Sequence, residues 1–149
     1  MDESILMTKE TFMLDTNTCS FLIRKKPEYL LEKLQQTTQA GHPIVVSSIT
    51  YAELTFGAVN KKASPKMAGI VSEFVERLDS VIAWDKMAVE CSTQIKKELE
   101  SRGTPIGHND TLIAGHAVAM DAVLVTDNIR EFSRVDGLKF QNWVDRESH

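Results

Sequence analysis

The sequence predicts an α/β protein in which helices cover both sides of a central, mostly parallel sheet of about four to five strands, a three-layer arrangement. Short β-branched or apolar runs recur along the chain, amphipathic segments of helical period separate them, and glycine–proline clusters mark reversals. Alternation of strand and helix implies right-handed crossovers, which lay the strands parallel. With 149 residues the chain has the length of a single domain, 1–149. A domain of that size buries roughly two-thirds of the surface its unfolded form exposes, enough for one hydrophobic core.

Thr11 to Leu14 reads as a short buried strand, followed by a helix over Asn17 to Lys25 and another over Pro27 to Gln36, where proline suits the first turn. Ile44-Val45-Val46 is the second strand, and Ser47, Ser48 or Thr50 is placed to cap a helix carrying Tyr51, Glu53, Leu54 and Phe56. Met67, Ile70, Val71, Phe74, Val75 and Leu78 recur at spacings of three and four, which predicts an amphipathic helix. Ser80 to Trp84 forms the third strand, and Lys86 to Arg102 a long helix with Met87, Cys91, Ile95 and Leu99 inside. The cluster Gly103-Thr104-Pro105-Ile106-Gly107 reverses the chain. Asn109-Asp110 then caps a helix from Thr111 whose small residues permit close packing. Ala122 to Val125 is the fourth strand, Asn128 to Phe132 a short helical turn, and Leu138 to Phe140 a last edge strand. Residues 1–10 are expected to form a flexible or non-native extension and residues 144–149 a tail.

Composition narrows the function. No apolar stretch approaches the ~20 residues of a membrane span, and the start lacks the pattern of a secretory signal, so a cytoplasmic location is expected. Cys19 and Cys91 have no cysteine neighbours and the four histidines are not paired, which argues against structural zinc or a disulfide framework. A net charge of -4 argues against a protein that coats nucleic acid indiscriminately, though not against a nuclease.

Four acids stand where an open parallel sheet binds its ligands, beyond the carboxyl ends of the strands. Asp15 follows the first strand, Glu53 lies in the first turns of the helix after the second, Asp110 opens the helix leading to the fourth, and Asp127 follows that strand. Taken singly, Asp15 and Asp110 read as helix caps, Asp127-Asn128 as an Asx-turn and Glu53 as a solvated acid. Their joint placement at one edge is what capping alone does not explain. At an effective dielectric near 20, two carboxylates ~4 Å apart repel by about 4 kcal/mol, so the cluster calls for a cation. All-oxygen ligands suit Mg²⁺, with Mn²⁺ as the alternative, and such a site favours phosphoryl-transfer chemistry. Thr16, Asn17, Thr126 and Asn128 are placed to orient the carboxylates or bound water, and Arg130 to hold a phosphate.

The segments LDTN at 14–17, AELTFG at 52–57, GHNDTLIAGHA at 107–117 and VTDN at 125–128 resemble the PIN-domain ribonucleases, more narrowly the VapC toxins of toxin-antitoxin pairs. The resemblance runs from about Phe12 to Trp143. It implies a PIN-like fold and an endoribonuclease using Mg²⁺ or Mn²⁺ and water, leaving 5′-phosphate and 3′-hydroxyl ends. It implies structured RNA such as transfer RNA as substrate and inhibition of translation and growth as outcome. Family roles carry over to Asp15, Glu53 and Asp110 as principal acids around the metal and to Asp127 as the fourth, with Thr16, Asn17 and Thr126 at the polar positions beside them. A homodimer is implied too, and a VapB-type antitoxin whose C-terminal segment crosses the active groove, so that DNA is met only through the antitoxin.

Other readings compete. An aspartyl-phosphate phosphatase needs a second aspartate two residues after the first, and Asn17 occupies that place. A response-regulator receiver pairs acids near its first strand and carries a late Lys-Pro, neither of which is present. A non-catalytic module holding a structural ion remains the third alternative.

Overall fold

The computed structural model describes residues 9–144. Most of the expected extension at 1–10 and tail at 144–149 lies outside the described residues. Val144, grouped with the tail, is buried in the core beside Trp143.

Five parallel strands, β1 (Phe12–Leu14), β2 (Ile44–Ser47), β3 (Ser80–Ile82), β4 (Val123–Val125) and β5 (Lys139–Gln141), form one sheet in the order β3-β2-β1-β4-β5. The chain builds outward from β1 to β3 on one side, then crosses to β4 on the other, so the order reverses beside β1. Phe12 pairs with Ile44 and with Val123, and Leu14 with Val125, which brings the ends of β1 and β4 level. Every residue of β1, β2 and β4 is buried, as expected of strands covered on both faces. Alternate side chains supply two cores: Phe12, Leu14, Ile44, Val46, Val123 and Val125 on one face, and Met13, Val45 and Leu124 on the other.

Seven helices are described: α1 (Thr16–Arg24), α2 (Glu28–Gln39), α3 (Ser48–Val59), α4 (Met67–Glu76), α5 (Lys86–Ser101), α6 (His108–Met120) and α7 (Ile129–Phe132). The first core takes Leu22 from α1, Leu30 from α2, Leu54 from α3 and Val71 from α4. The second takes Ile95 and Leu99 from α5, Ile113 and Ala114 from α6 and Phe132 from α7. This is the α/β/α sandwich expected from the alternation. Among the described residues, no helix is long and apolar enough to cross a membrane.

Two expectations need correction. The buried face of α5 is Ala88, Ser92, Ile95 and Leu99, while Met87 is 57% exposed and Cys91 only half-buried. The seam is set by contact with α6, where a Cβ on Gly115 would lie 2.6 Å from the Ser92 backbone, so the helices meet almost backbone to backbone. Helix α6 also begins earlier than expected, at His108, with Gly107 rather than Asn109-Asp110 in the capping position. The Gly107 carbonyl accepts from both the backbone and the hydroxyl of Thr111, at 2.9 Å each. Asp110 therefore lies inside the first turn, where the helix dipole favours negative charge.

Candidate active site

Asp15 is the first residue beyond β1. Its N–H donates to the Val125 carbonyl at 3.0 Å, extending the pairing with β4 by one residue, and its backbone is still extended. Its Oδ1 accepts from the Thr18 N–H at 2.8 Å, so it does cap α1. The capping and site readings are not exclusive, since a carboxylate has a second oxygen. Asp15 is buried, and burial raises its pKa; hydrogen bonds from Thr126 and Thr18 oppose the shift, and the charge of Asp127 adds to it.

Glu53 comes from the second turn of α3, launched from β2 by Ser47, whose side chain caps the helix by accepting from the Ile49 N–H at 3.1 Å. The Thr16 hydroxyl donates to Glu53 Oε1 at 2.6 Å, and the buried Thr50 hydroxyl lies 3.3 Å from the same Thr16 oxygen. Thr16 thus ties the start of α1 to the acid on α3. Asp110, half-buried, has its pKa raised to about 6, first by burial, then by the charges of Glu131, Asp15 and Glu53. Its carboxylate turns back over Gly107, where a Cβ would meet Asp110 Oδ2 at 3.3 Å.

Asp127 follows β4 and is half-buried, with its charge acting on Asp15. The turn after β4 is made by Thr126 instead of by an Asx-turn at Asp127: the buried Thr126 hydroxyl accepts from the Asn128 N–H at 3.0 Å. That leaves the Asp127 carboxylate out of the turn's hydrogen bonding. The structure thus gathers Asp15, Glu53, Asp110 and Asp127 at the carboxyl edge of the sheet, beside the switch in strand order.

The polar candidates divide. Thr16 and Thr126 touch the carboxylates as described. Asn17 is exposed on α1. Asn128 donates its side-chain amide to Glu131 Oε2 at 2.6 Å, so it orients an acid that the sequence reading omitted. Arg130 is exposed, and its charge helps hold Glu131 below the ordinary carboxylate range, behind hydrogen bonds from the Gly107 N–H and the Asn128 amide.

Glu131 is the main omission. Its Oε1 accepts from the Gly107 N–H at 3.0 Å while its charge presses on Asp110, so it clamps the start of α6 to the turn after β4. The available signal was the three-residue spacing from Asn128, that of a helix cap and its third residue. Thr18 was missed as well: besides meeting Asp15, its hydroxyl donates to the Val125 carbonyl at 3.1 Å.

The donor set suits a hard divalent cation, being all oxygen and mutually repulsive. Among the described residues, no group of three or more acidic, histidine or cysteine side chains is disposed to hold one ion. Mg²⁺ is commonly held by only one or two carboxylates, with water and substrate oxygens completing its shell. A groove of about 350 Å³ opens beside Thr16 and Glu53 and runs past Arg24, Lys62 and Met67.

Comparison with known proteins adds independent findings. The PIN domain family matches residues 12–138. The tRNA(fMet)-specific endonuclease VapC of Salmonella typhimurium is 42% identical over 132 residues, covering 89% of this chain and 97% of that protein. The crystal structure of VapBC2 from Rickettsia felis bound to a promoter DNA fragment superposes with a TM-score of 0.83 at 35% identity, covering 89% of this chain and 98% of that one. DNA-bound VapBC from Salmonella typhimurium gives a TM-score of 0.82 at 40% identity, with 90% and 98% covered.

Proposed function

The chain belongs to the PIN-domain family and within it to the VapC ribonucleases, and from that premise we propose that it hydrolyses structured RNA at an ion held by Asp15 and Asp110, with Glu53 and Asp127 completing the acidic ring. The observation that carries this reading is the nearness of three acids from separate parts of the chain, Glu131, Asp15 and Glu53, whose charges all act on the Asp110 carboxyl. PIN nucleases are generally dependent on divalent metal, and Mg²⁺, with Mn²⁺ as the alternative, suits these donors. When bound, such an ion supplies Lewis acidity, activating water and offsetting charge on the phosphate. The protein's share is to hold the ring in place: Thr16 fixes Glu53, Thr126 and Thr18 fix Asp15, and Glu131 fixes the first turn of α6. Asn17 and Arg130 are exposed, which supports a role for them toward RNA rather than toward the ion.

Transfer RNA is the substrate proposed first, because the Salmonella relative is named a tRNA(fMet)-specific endonuclease. The similarity to VapBC complexes supports a VapB-type antitoxin as partner, and the groove beside Glu53 has the size and apolar floor to take an extended segment of it. Tyr51, Phe56, Val59 and Ile70 stay exposed on α3 and α4, which supports a homodimer through those helices. Incubating the purified chain with total cellular RNA, with Mg²⁺ and then with excess chelator, tests the reading. Cleavage that stops with chelator and is lost in Asp15→Asn and Asp110→Asn is expected; variants that cut as well as wild type would overturn it.

A further inference from the structure

We propose that His116 is a positioning residue for the acidic centre: its hydrogen bond to Ser47 sets the spacing between the helix that carries Asp110 and the helix that carries Glu53. The proposal rests on the reading of the acidic ring around Asp15 and Asp110 as the site of an ion. His116 lies on α6, six residues beyond Asp110, and is 1% exposed, with Nδ1 2.8 Å from Ser47 Oγ. Ser47 is the last residue of β2 and the cap of α3, with its own hydroxyl fully buried and held by the Ile49 N–H. A bond to that hydroxyl therefore fixes α6 against the point from which Glu53 is launched.

A second tie runs in parallel. The Trp84 N–H donates to Ser48 Oγ at 3.1 Å, and its indole N–H donates to the Leu112 carbonyl at 3.0 Å, two residues beyond Asp110. Neighbouring serines at the start of α3 are thus each joined to α6, one directly and one through Trp84. The other nitrogen of His116, Nε2, is buried without a partner. A buried unpaired polar atom is destabilising, and an apolar residue of similar volume would avoid that loss. An apolar residue would in turn take from the buried Ser47 hydroxyl its partner at Nδ1, so the bond to Ser47, and not the orphaned Nε2, accounts for histidine here. Burial also lowers its pKa, against the opposing charge of Asp85, which favours the neutral ring.

The test compares Mn²⁺ binding to metal-free protein by electron paramagnetic resonance with melting temperature, in wild type, His116→Leu, His116→Asn and His116→Gln. Asparagine places its amide near the Nδ1 position, and glutamine near Nε2. The leucine and glutamine variants are expected to melt within a few degrees of wild type yet bind Mn²⁺ about 10-fold more weakly or worse, the usual scale for losing a group that orients a ligand; asparagine is expected to restore most of the affinity. Leucine binding Mn²⁺ as tightly as wild type would overturn the proposal. Should leucine fail to fold, asparagine and glutamine binding equally would overturn it. Failure of wild type to bind Mn²⁺ at all would instead overturn the underlying reading of the carboxylates, and the inference with it.

Discussion

Asp110 has a measurable consequence at the scale of one side chain. Its pKa rises from 3.8 to about 6, through burial and then through neighbouring acids. A folded-state value above the unfolded one means that the fold prefers the protonated acid. The stabilisation is complete below the unfolded value and is lost as pH rises through about 6, so ionised Asp110 is a destabilising charge in metal-free protein at neutral pH. Thermal melts in chelator should show Asp110→Asn melting above wild type near ~pH 7.5, with the gap closing towards ~pH 4. The same variant should lose RNA cleavage by about 100-fold or more, roughly 3 kcal/mol of transition-state stabilisation. Asp15 separates two roles in the other direction. Asn keeps the cap on Thr18 and Ala does not, so Asp15→Ala should be less stable than Asp15→Asn by about 1 kcal/mol in chemical denaturation, with both inactive.

Among the elements, the pair α5 and α6 depends most on a missing side chain. A Cβ on Gly115 would fall far inside contact distance of Ser92 Oγ and 2.6 Å from its backbone, which cannot yield as a flexible side chain can. Gly115→Ala should therefore push the helices apart and lower unfolding free energy by about 1–3 kcal/mol, read from urea denaturation; an unchanged midpoint would show the seam to be looser than described. The same seam explains what the sequence made legible and what it did not. Phe12–Leu14, Ile44–Val46 and Val123–Val125 were readable because strands covered on both faces are continuously apolar. Met87 was assigned inward because its spacing to Ile95 and Leu99 fits a helical face, but which face is buried was decided by Gly115 on another helix. The early start of α6 was hidden because Gly107 offers no side chain to read. That Asp15, Glu53, Asp110 and Asp127 come to one edge was legible from the order of strands and helices, whereas Glu131 was not, since its part depends on reaching across to the Gly107 N–H from a helix of four residues.

For the whole molecule, the metal-free chain holds its acids together against their own repulsion, so a bound cation should stabilise folding as well as supply chemistry. Mg²⁺ at 100 times its dissociation constant should add about 2.7 kcal/mol, seen as a rise in Tm that chelator reverses and that Asp110→Asn lacks. The exposed apolar face of α3 and α4 makes a separate prediction: Phe56→Glu, at a residue 73% exposed, should shift the chain from dimer to monomer in sedimentation while leaving its fold intact. A monomeric wild type would remove that dimer. The double duty of Asp15, as cap and as the proposed ligand, also bears on behaviour in a cell. Because asparagine can do the first job without the second, Asp15→Asn would yield a well-folded, harmless copy with its groove unaltered, able to soak up the partner that restrains active chains. One oxygen exchanged for an amide nitrogen, with almost no change of shape, would turn the protein into a decoy whose expression releases its own wild type from inhibition.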